Sequence, residues 1–153
     1  MLFKRKTYIE KLISSDGNGM IKIVTGIRRC GKSFLLFNLF KQHLLDTGVA
    51  EDHIIEVNLE DRRNRKLRDP DALLDHIDGL MVDKGKYYIL LDEVQMVKDF
   101  EDVLNSYLHV SNAEVYVTGS NAKFLSKDVI TEFRGRGWEM AQFKTSVATS
   151  HLC

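Results

Sequence analysis

One eight-residue segment constrains this chain more than any other: residues 26–33 read Gly-Ile-Arg-Arg-Cys-Gly-Lys-Ser. The segment matches the phosphate-binding loop pattern G-x-x-x-x-G-K-[ST]. It stands between an apolar run and an amphipathic run, the context in which the pattern is meaningful. Glycines let consecutive backbone N–H groups point at phosphate oxygens, and a following helix adds the positive end of its dipole. The sequence therefore predicts a site for a nucleoside triphosphate.

Within this segment, two side chains have expected tasks. Lys32 would reach the β- and γ-phosphates, and the Ser33 hydroxyl would bind Mg²⁺. The other residues expected to contact the nucleotide are Gly26, Arg29, Cys30 and Gly31 of this segment, and Phe34, which follows it directly.

Composition excludes several classes of function. Lysine plus arginine and aspartate plus glutamate number 22 each, so no overall field draws the chain to nucleic acid or membrane. The two cysteines, Cys30 and Cys153, do not suggest a disulfide framework, which fits a reducing compartment. No run approaches the roughly 18 apolar residues of a membrane span, and the N-terminus lacks the apolar core of a signal peptide. We therefore expect a cytoplasmic protein with no membrane partner.

Short apolar runs alternate along the sequence with segments of helical periodicity. This pattern is typical of a parallel sheet covered on both faces. Strands are predicted at residues 20–25, 53–59, 87–91 and 114–118. Gly48 should end the helix after the phosphate loop, and Asp69 should cap a helix that begins at Pro70. Another helix is predicted at residues 99–110. The predicted fold class is α/β, in one domain.

A second motif follows the third predicted strand, Tyr-Tyr-Ile-Leu-Leu at residues 87–91, where Asp92 and Glu93 stand side by side. At the carboxyl end of a strand in a doubly wound sheet, Asp92 would face the phosphate loop and hold Mg²⁺ through water. Glu93 would orient and deprotonate the water that attacks the γ-phosphate, which favours a hydrolase over a kinase. The alternative is an exposed acidic turn after a core strand.

Polar residues also follow the fourth predicted strand. Ser120 and Asn121 would stand where a side chain can touch the attacking water, although both residue types are also ordinary helix N-caps. Further along, Arg136 lies between two glycines and could stabilise transition-state charge, in its own subunit or a neighbour's. A solvated arginine is the alternative.

Taken together, these motifs resemble a known family. Gly-Ile-Arg-Arg-Cys-Gly-Lys-Ser, Leu-Leu-Asp-Glu-Val-Gln, Thr-Gly-Ser-Asn and Gly-Arg are similar to the motifs of bacterial and archaeal AAA-type ATPases of the AAA_14 family, usually joined to a C-terminal DUF4143 domain. The resemblance implies a P-loop NTPase three-layer sandwich with five mostly parallel strands in the order 5-1-4-3-2. It implies ATP and Mg²⁺ as cofactors, Ser120 or Asn121 as sensor, Arg136 as the family's arginine, and Tyr8 near the adenine.

The chain departs from the family pattern after residue 140. We expect residues 1–140 to form the AAA-like core without its helical lid, and residues 141–153 to form a truncated or altered, disordered tail. Without a lid to exclude water, turnover should be weak. We expect this chain to be monomeric, and a full-length protein to be able to form oligomers.

A run of five positive charges at Arg62–Arg68 offers a surface for an unknown protein or nucleic-acid partner. A solvated loop is the alternative, and no aromatic side chain interrupts the run to stack bases. Two other functions remain open beside the ATPase: a nucleotide-dependent binding switch with negligible turnover, and a P-loop small-molecule or nucleotide kinase.

Overall fold

Five strands form a single sheet in the computed structural model, which describes residues 10, 12–13, 21–26, 32–120 and 138–142. The strands are β1 (Ile21–Gly26), β2 (Ile54–Asn58), β3 (Tyr87–Asp92), β4 (Ala113–Ser120) and β5 (Trp138–Gln142). All four neighbouring pairs are parallel, and the order across the sheet is β2-β3-β4-β1-β5. Seen from the opposite edge, this is the expected order 5-1-4-3-2. The expected α/β fold with five parallel strands is confirmed.

Helices pack on both faces of this sheet within the described residues. Helix α1 runs through three successive segments, Lys32–Phe34, Leu35–Phe40 with π-type hydrogen bonding, and Lys41–Asp46; α2 is Pro70–Leu80 and α3 is Phe100–Ser106. As predicted, Asp69 caps α2, because its carboxylate accepts a hydrogen bond from the Ala72 N–H at 3.0 Å. Gly48 follows α1 with a φ of +97°, the left-handed conformation that glycine adopts without strain. Within the described residues, no helix is long and apolar enough to cross a bilayer.

Burial on both faces of the sheet explains why the strands are nearly continuous apolar runs. In β3, Ile89 and Leu91 point to one face and Leu90 to the other, and all are fully buried. One core cluster joins the first face to α2 and α3, including Leu73, Ile77, Val103 and Leu104. The second cluster joins the other face to α1 through Leu36, Phe40 and Leu44.

Polar residues interrupt the apolar strands at their amino-terminal ends. Lys22 on β1 and Glu114 on β4 are both buried, and they form an ion pair in which Lys22 Nζ donates a hydrogen bond to Glu114 Oε2. Lys22 Nζ also lies 5.0 Å from the centre of the Tyr116 ring. The pair is at the opposite end of these strands from Gly26 and Ser120, which are register partners at the carboxyl end.

The basic run differs from the predicted loop. Arg62–Arg68 forms 3₁₀ turns with a kink at Asn64. These turns form because the Asp61 carboxylate accepts a hydrogen bond from the Arg63 N–H at 2.9 Å, and Arg68 Nε donates to the Leu59 carbonyl at 2.9 Å. Arg68 is therefore part of the local structure, whereas the other four positive charges of the run are exposed.

The core also extends slightly further along the chain than the sequence predicted. β5 includes Ala141 and Gln142, two residues past the predicted boundary at 140, because their backbones pair with Val24 and Thr25 of β1. The rest of the predicted tail, residues 143–153, lies outside the described residues. The helix predicted at 99–110 is shorter, since α3 ends at Ser106 and a 3₁₀ turn, Tyr107–His109, follows.

Candidate nucleotide site

The candidate site lies at the carboxyl ends of β1, β3 and β4. In the register between β1 and β4, Gly26, the first residue of the phosphate-loop motif, is the partner of Ser120. β4 also pairs with β3, so it lies between the strand that leads into the loop and the strand that ends in the two carboxylates. This is the placement of β4 in the strand order that the family resemblance implied. Residues far apart in sequence therefore meet at one edge of the sheet.

Ser33 and Asp92 are in direct contact at this edge. The Ser33 hydroxyl, in the first turn of α1, lies 2.8 Å from Asp92 Oδ1 and 2.7 Å from Oδ2. Asp92 is buried, with 2% of its surface exposed, at the end of β3. The two residues that the sequence assigned to one metal ion are thus brought together across 59 positions of sequence.

Thr118 of β4 completes this contact from the other side. Its hydroxyl donates a hydrogen bond to Asp92 Oδ1 at 2.5 Å and accepts one from the Glu93 N–H at 2.8 Å. The residue is fully buried. Because the single hydroxyl serves both as donor and as acceptor, it fixes the side chain of Asp92 and the backbone of Glu93 together.

Glu93 leaves the strand in the left-handed conformation, with φ 54° and ψ 54°. For a residue other than glycine, this conformation costs about 1–2 kcal/mol and persists where its surroundings hold it. Successive strand residues point to opposite faces, so an extended Glu93 would direct its carboxylate away from Asp92. The turn that begins at Glu93 continues through Val94–Met96, and the Gln95 amide donates to Glu93 Oε1 at 2.9 Å.

The donors at this site fit Mg²⁺ bound together with phosphates. A hydroxyl and a carboxylate in contact are hard oxygen ligands, and Mg²⁺ usually takes one or two carboxylates, several waters and substrate phosphate oxygens. Within the described residues, no group of three or more His, Cys, Asp or Glu side chains forms a cluster able to hold a metal by itself. The candidate ligands are therefore Ser33 and Asp92.

Several predicted site residues lie outside the part of the chain that the structure describes. They are Tyr8, Arg29, Cys30, Gly31, Asn121 and Arg136, together with the side chains of Lys32 and Ser120. Phe34 is described and lies in the first turn of α1 with 42% of its surface exposed.

Two residues of the site were missed by sequence reasoning. Thr118 stands in the apolar run Val-Tyr-Val-Thr, where a polar residue on a buried strand signals a partner. Gln95 carries no such signal, because a polar residue just after a strand is ordinary for a turn.

Fold and site together define a class: a P-loop nucleotide-binding domain with the strand order of AAA-type proteins. A family model described as an AAA domain, AAA_14, matches residues 18–148, and the chain belongs to this family. The chain is 30% identical over 146 residues to an uncharacterized protein of Haemophilus influenzae, covering 95% of this chain and 36% of that protein. It is 32% identical over 118 residues to an uncharacterized protein of Methanocaldococcus jannaschii, covering 76% of this chain and 24% of that protein. The chain thus spans only a quarter to about a third of these relatives' length.

Solved structures share the architecture. The Aeropyrum pernix ORC1 protein in complex with DNA superposes with a TM-score of 0.61 at 14% identity, covering 94% of this chain and 46% of that chain. A DNA polymerase III gamma subunit-related protein of Thermotoga maritima gives a TM-score of 0.60 at 8% identity, covering 95% and 47%. At these identities, the likeness concerns the fold alone.

Proposed function

We propose that this chain binds Mg·ATP and hydrolyses it, and that turnover acts on a partner or on further parts of a longer protein. One observation carries the proposal: the Ser33 hydroxyl contacts both carboxylate oxygens of Asp92, and Glu93 is the next residue. A hydroxyl at the end of a phosphate loop, against a strand-end aspartate, is the donor set that a Mg·nucleotide requires.

In this proposal Ser33 and Asp92 hold Mg²⁺, which when bound would neutralise charge on the phosphates. Thr118 supports them by orienting the Asp92 carboxylate through its 2.5 Å hydrogen bond. Lys32 would supply the point charge at the β- and γ-phosphates, and Tyr8 would contact the adenine. These assignments follow the loop pattern and the family resemblance.

Glu93 acts as the general base. Its carboxylate accepts a proton from the water that attacks the γ-phosphate. The left-handed backbone at Glu93, directly after Asp92, supports this role because it turns the chain out of the strand at the proposed metal site. Ser120 or Asn121 orients the same water from the tip of β4, and Arg136 stabilises the developing charge from its own subunit or a neighbour's. For Arg136 to act at the nucleotide of a neighbouring subunit, the longer protein would have to form oligomers.

The basic run Arg62–Arg68 is the proposed surface for a polyanionic partner, with DNA as the first to test. Four of its charges are exposed: Arg62, Arg63, Arg65 and Lys66. A similar fold occurs in a protein solved in complex with DNA.

Binding of a DNA duplex should weaken with salt, and Arg63→Glu/Arg65→Glu should reduce both the affinity and the salt dependence. Lys98→Glu, which changes an exposed charge outside the run, is the matched control. Equal affinity in all three proteins would refute this surface.

The nucleotide site is tested by calorimetric titration with Mg·ATP. Lys32→Ala should abolish binding, because the phosphates lose their fixed positive charge. Lys41→Ala is the matched control, since Lys41 lies in the same helix but pairs with Glu56 at 2.7 Å. Unchanged affinity in Lys32→Ala would refute the site. Tight binding without phosphate release would instead favour the nucleotide-dependent switch, and phosphate transfer to an added acceptor would favour the kinase.

A further inference from the structure

Gln95 contacts the proposed base, and the proposed reaction gives it no task. It lies in the 3₁₀ turn Val94–Met96, and its Nε2 donates a hydrogen bond to Glu93 Oε1 at 2.9 Å. The turn is closed by the Met96 N–H, which donates to the Glu93 carbonyl at 3.0 Å, and it is anchored by the fully buried Val94. The turn that begins at Glu93 therefore brings the side-chain amide of Gln95 back to the Glu93 carboxylate.

The other end of this amide is unfavourable for stability. Gln95 Oε1 is buried and has no hydrogen-bond partner among the described residues. A buried carbonyl oxygen without a donor loses its hydration and gains nothing in return. Native proteins avoid such atoms, and the exceptions call for a specific explanation. Groups that lower stability in this way are found mostly at functional sites.

From this hydrogen bond and this unpartnered oxygen we infer that Gln95 is a positioning residue for Glu93: its amide fixes the direction of the carboxylate, at a cost in stability. The inference rests on the proposed hydrolysis. A general base must lie within hydrogen-bond reach of the proton that it removes, and a glutamate side chain holds one direction only where other groups support it.

An amide suits this task better than a charged donor. It donates a hydrogen bond to one oxygen of the carboxylate, Glu93 Oε1, and carries no charge of its own. It does not itself titrate, so it holds Glu93 without competing for the transferred proton. Lysine or arginine at this place would instead add a full positive charge that favours the unprotonated carboxylate and weakens it as a base.

The decisive variant is Gln95→Met, which keeps the length of the side chain but removes both the donor and the buried oxygen. We expect the rate of Mg·ATP hydrolysis at saturating substrate to fall roughly 10-fold or more, as for other supporting residues. Affinity for Mg·ATP, measured by calorimetry, should be unchanged. The melting temperature should equal or exceed that of the parent, because the unpartnered oxygen is gone. In a Glu93→Gln background, the same change should cause no further loss of rate.

Met96→Ala, in the same turn and partly exposed, is the control for disturbance of the turn itself. Hydrolysis by Gln95→Met within about twofold of the parent would overturn the inference. A fall in both hydrolysis and melting temperature would overturn it as well, because that result assigns Gln95 a structural role. If the parent binds Mg·ATP but releases no phosphate, or if Glu93→Gln keeps the parent rate, the proposed reaction fails and the inference fails with it. The parent and Glu93→Gln measurements therefore distinguish the two failures.

Discussion

Thr118 holds the backbone of Glu93: the Glu93 N–H donates to the Thr118 hydroxyl at 2.8 Å, across 25 positions of sequence. This hydrogen bond ties the tip of β4 to the residue at which β3 turns into the left-handed conformation. The same hydroxyl donates to Asp92. A single buried side chain on β4 therefore sets the relative position of the proposed metal ligand and the proposed base.

Thr118→Val tests this arrangement, because it keeps the shape of the side chain and removes the hydroxyl. We expect a loss of about 1–3 kcal/mol in the free energy of unfolding, since Asp92 and the Glu93 N–H each lose a buried partner. Hydrolysis should fall roughly 10-fold to 100-fold. Thr118→Ser, which keeps the hydroxyl, should retain most of the activity. Equal loss in the valine and serine variants would show that packing, and not the hydroxyl, is what matters at this position.

The buried pair between Lys22 and Glu114 leads to a separate prediction about stability. Lys22→Met should destabilise the protein by about 3–5 kcal/mol, because it leaves the Glu114 carboxylate buried without its closest partner. The double variant Lys22→Met/Glu114→Leu should recover most of this loss, since neither charge is then buried. Urea unfolding of the parent, the single variant and the double variant measures both effects. A double variant no more stable than the single one would contradict the account.

A pH effect is expected at the loop before β3. A hydrogen bond with the His53 side chain is the largest cause that lowers the pKa of the Asp83 carboxyl below its usual value of 3.8, and the Gly85 N–H adds to it. Because the folded pKa is lowered, the stabilising contribution of Asp83 is complete above pH 3.8 and is lost as the pH falls through the folded value. His53→Ala should move the Asp83 pKa back toward its usual value, as followed by NMR titration of the carboxyl carbon. An unmoved pKa would show that His53 is not the cause.

Local patterns predicted most of the fold. Apolar runs predicted β1 to β4 to within one or two residues, because strands buried on both faces need no polar alternation. They did not predict β5. Asp69 and Gly48 marked helix ends through chemistry that acts within a few residues. The order of the strands came from the family resemblance, since periodicity does not say which strands are neighbours.

The site was predictable only where residue type and position along a strand carried the signal. Ser33 and Asp92 were expected at one metal ion, and the structure places them in contact. The left-handed turn at Glu93 was not predictable, because it depends on a hydrogen bond to Thr118 on another strand. The 3₁₀ turns of the basic run were missed because a charge run has no apolar periodicity to indicate them.

The most direct test of the central claim compares the parent chain with Glu93→Gln, which removes the proposed base but leaves Ser33 and Asp92 unchanged. Both proteins are titrated with Mg·ATP by calorimetry, and phosphate release is then followed at saturating Mg·ATP. We expect nearly equal affinity in the two proteins, phosphate release by the parent, and a rate of release lower by roughly 100-fold or more in the variant. Phosphate release by Glu93→Gln at the parent rate would contradict the claim.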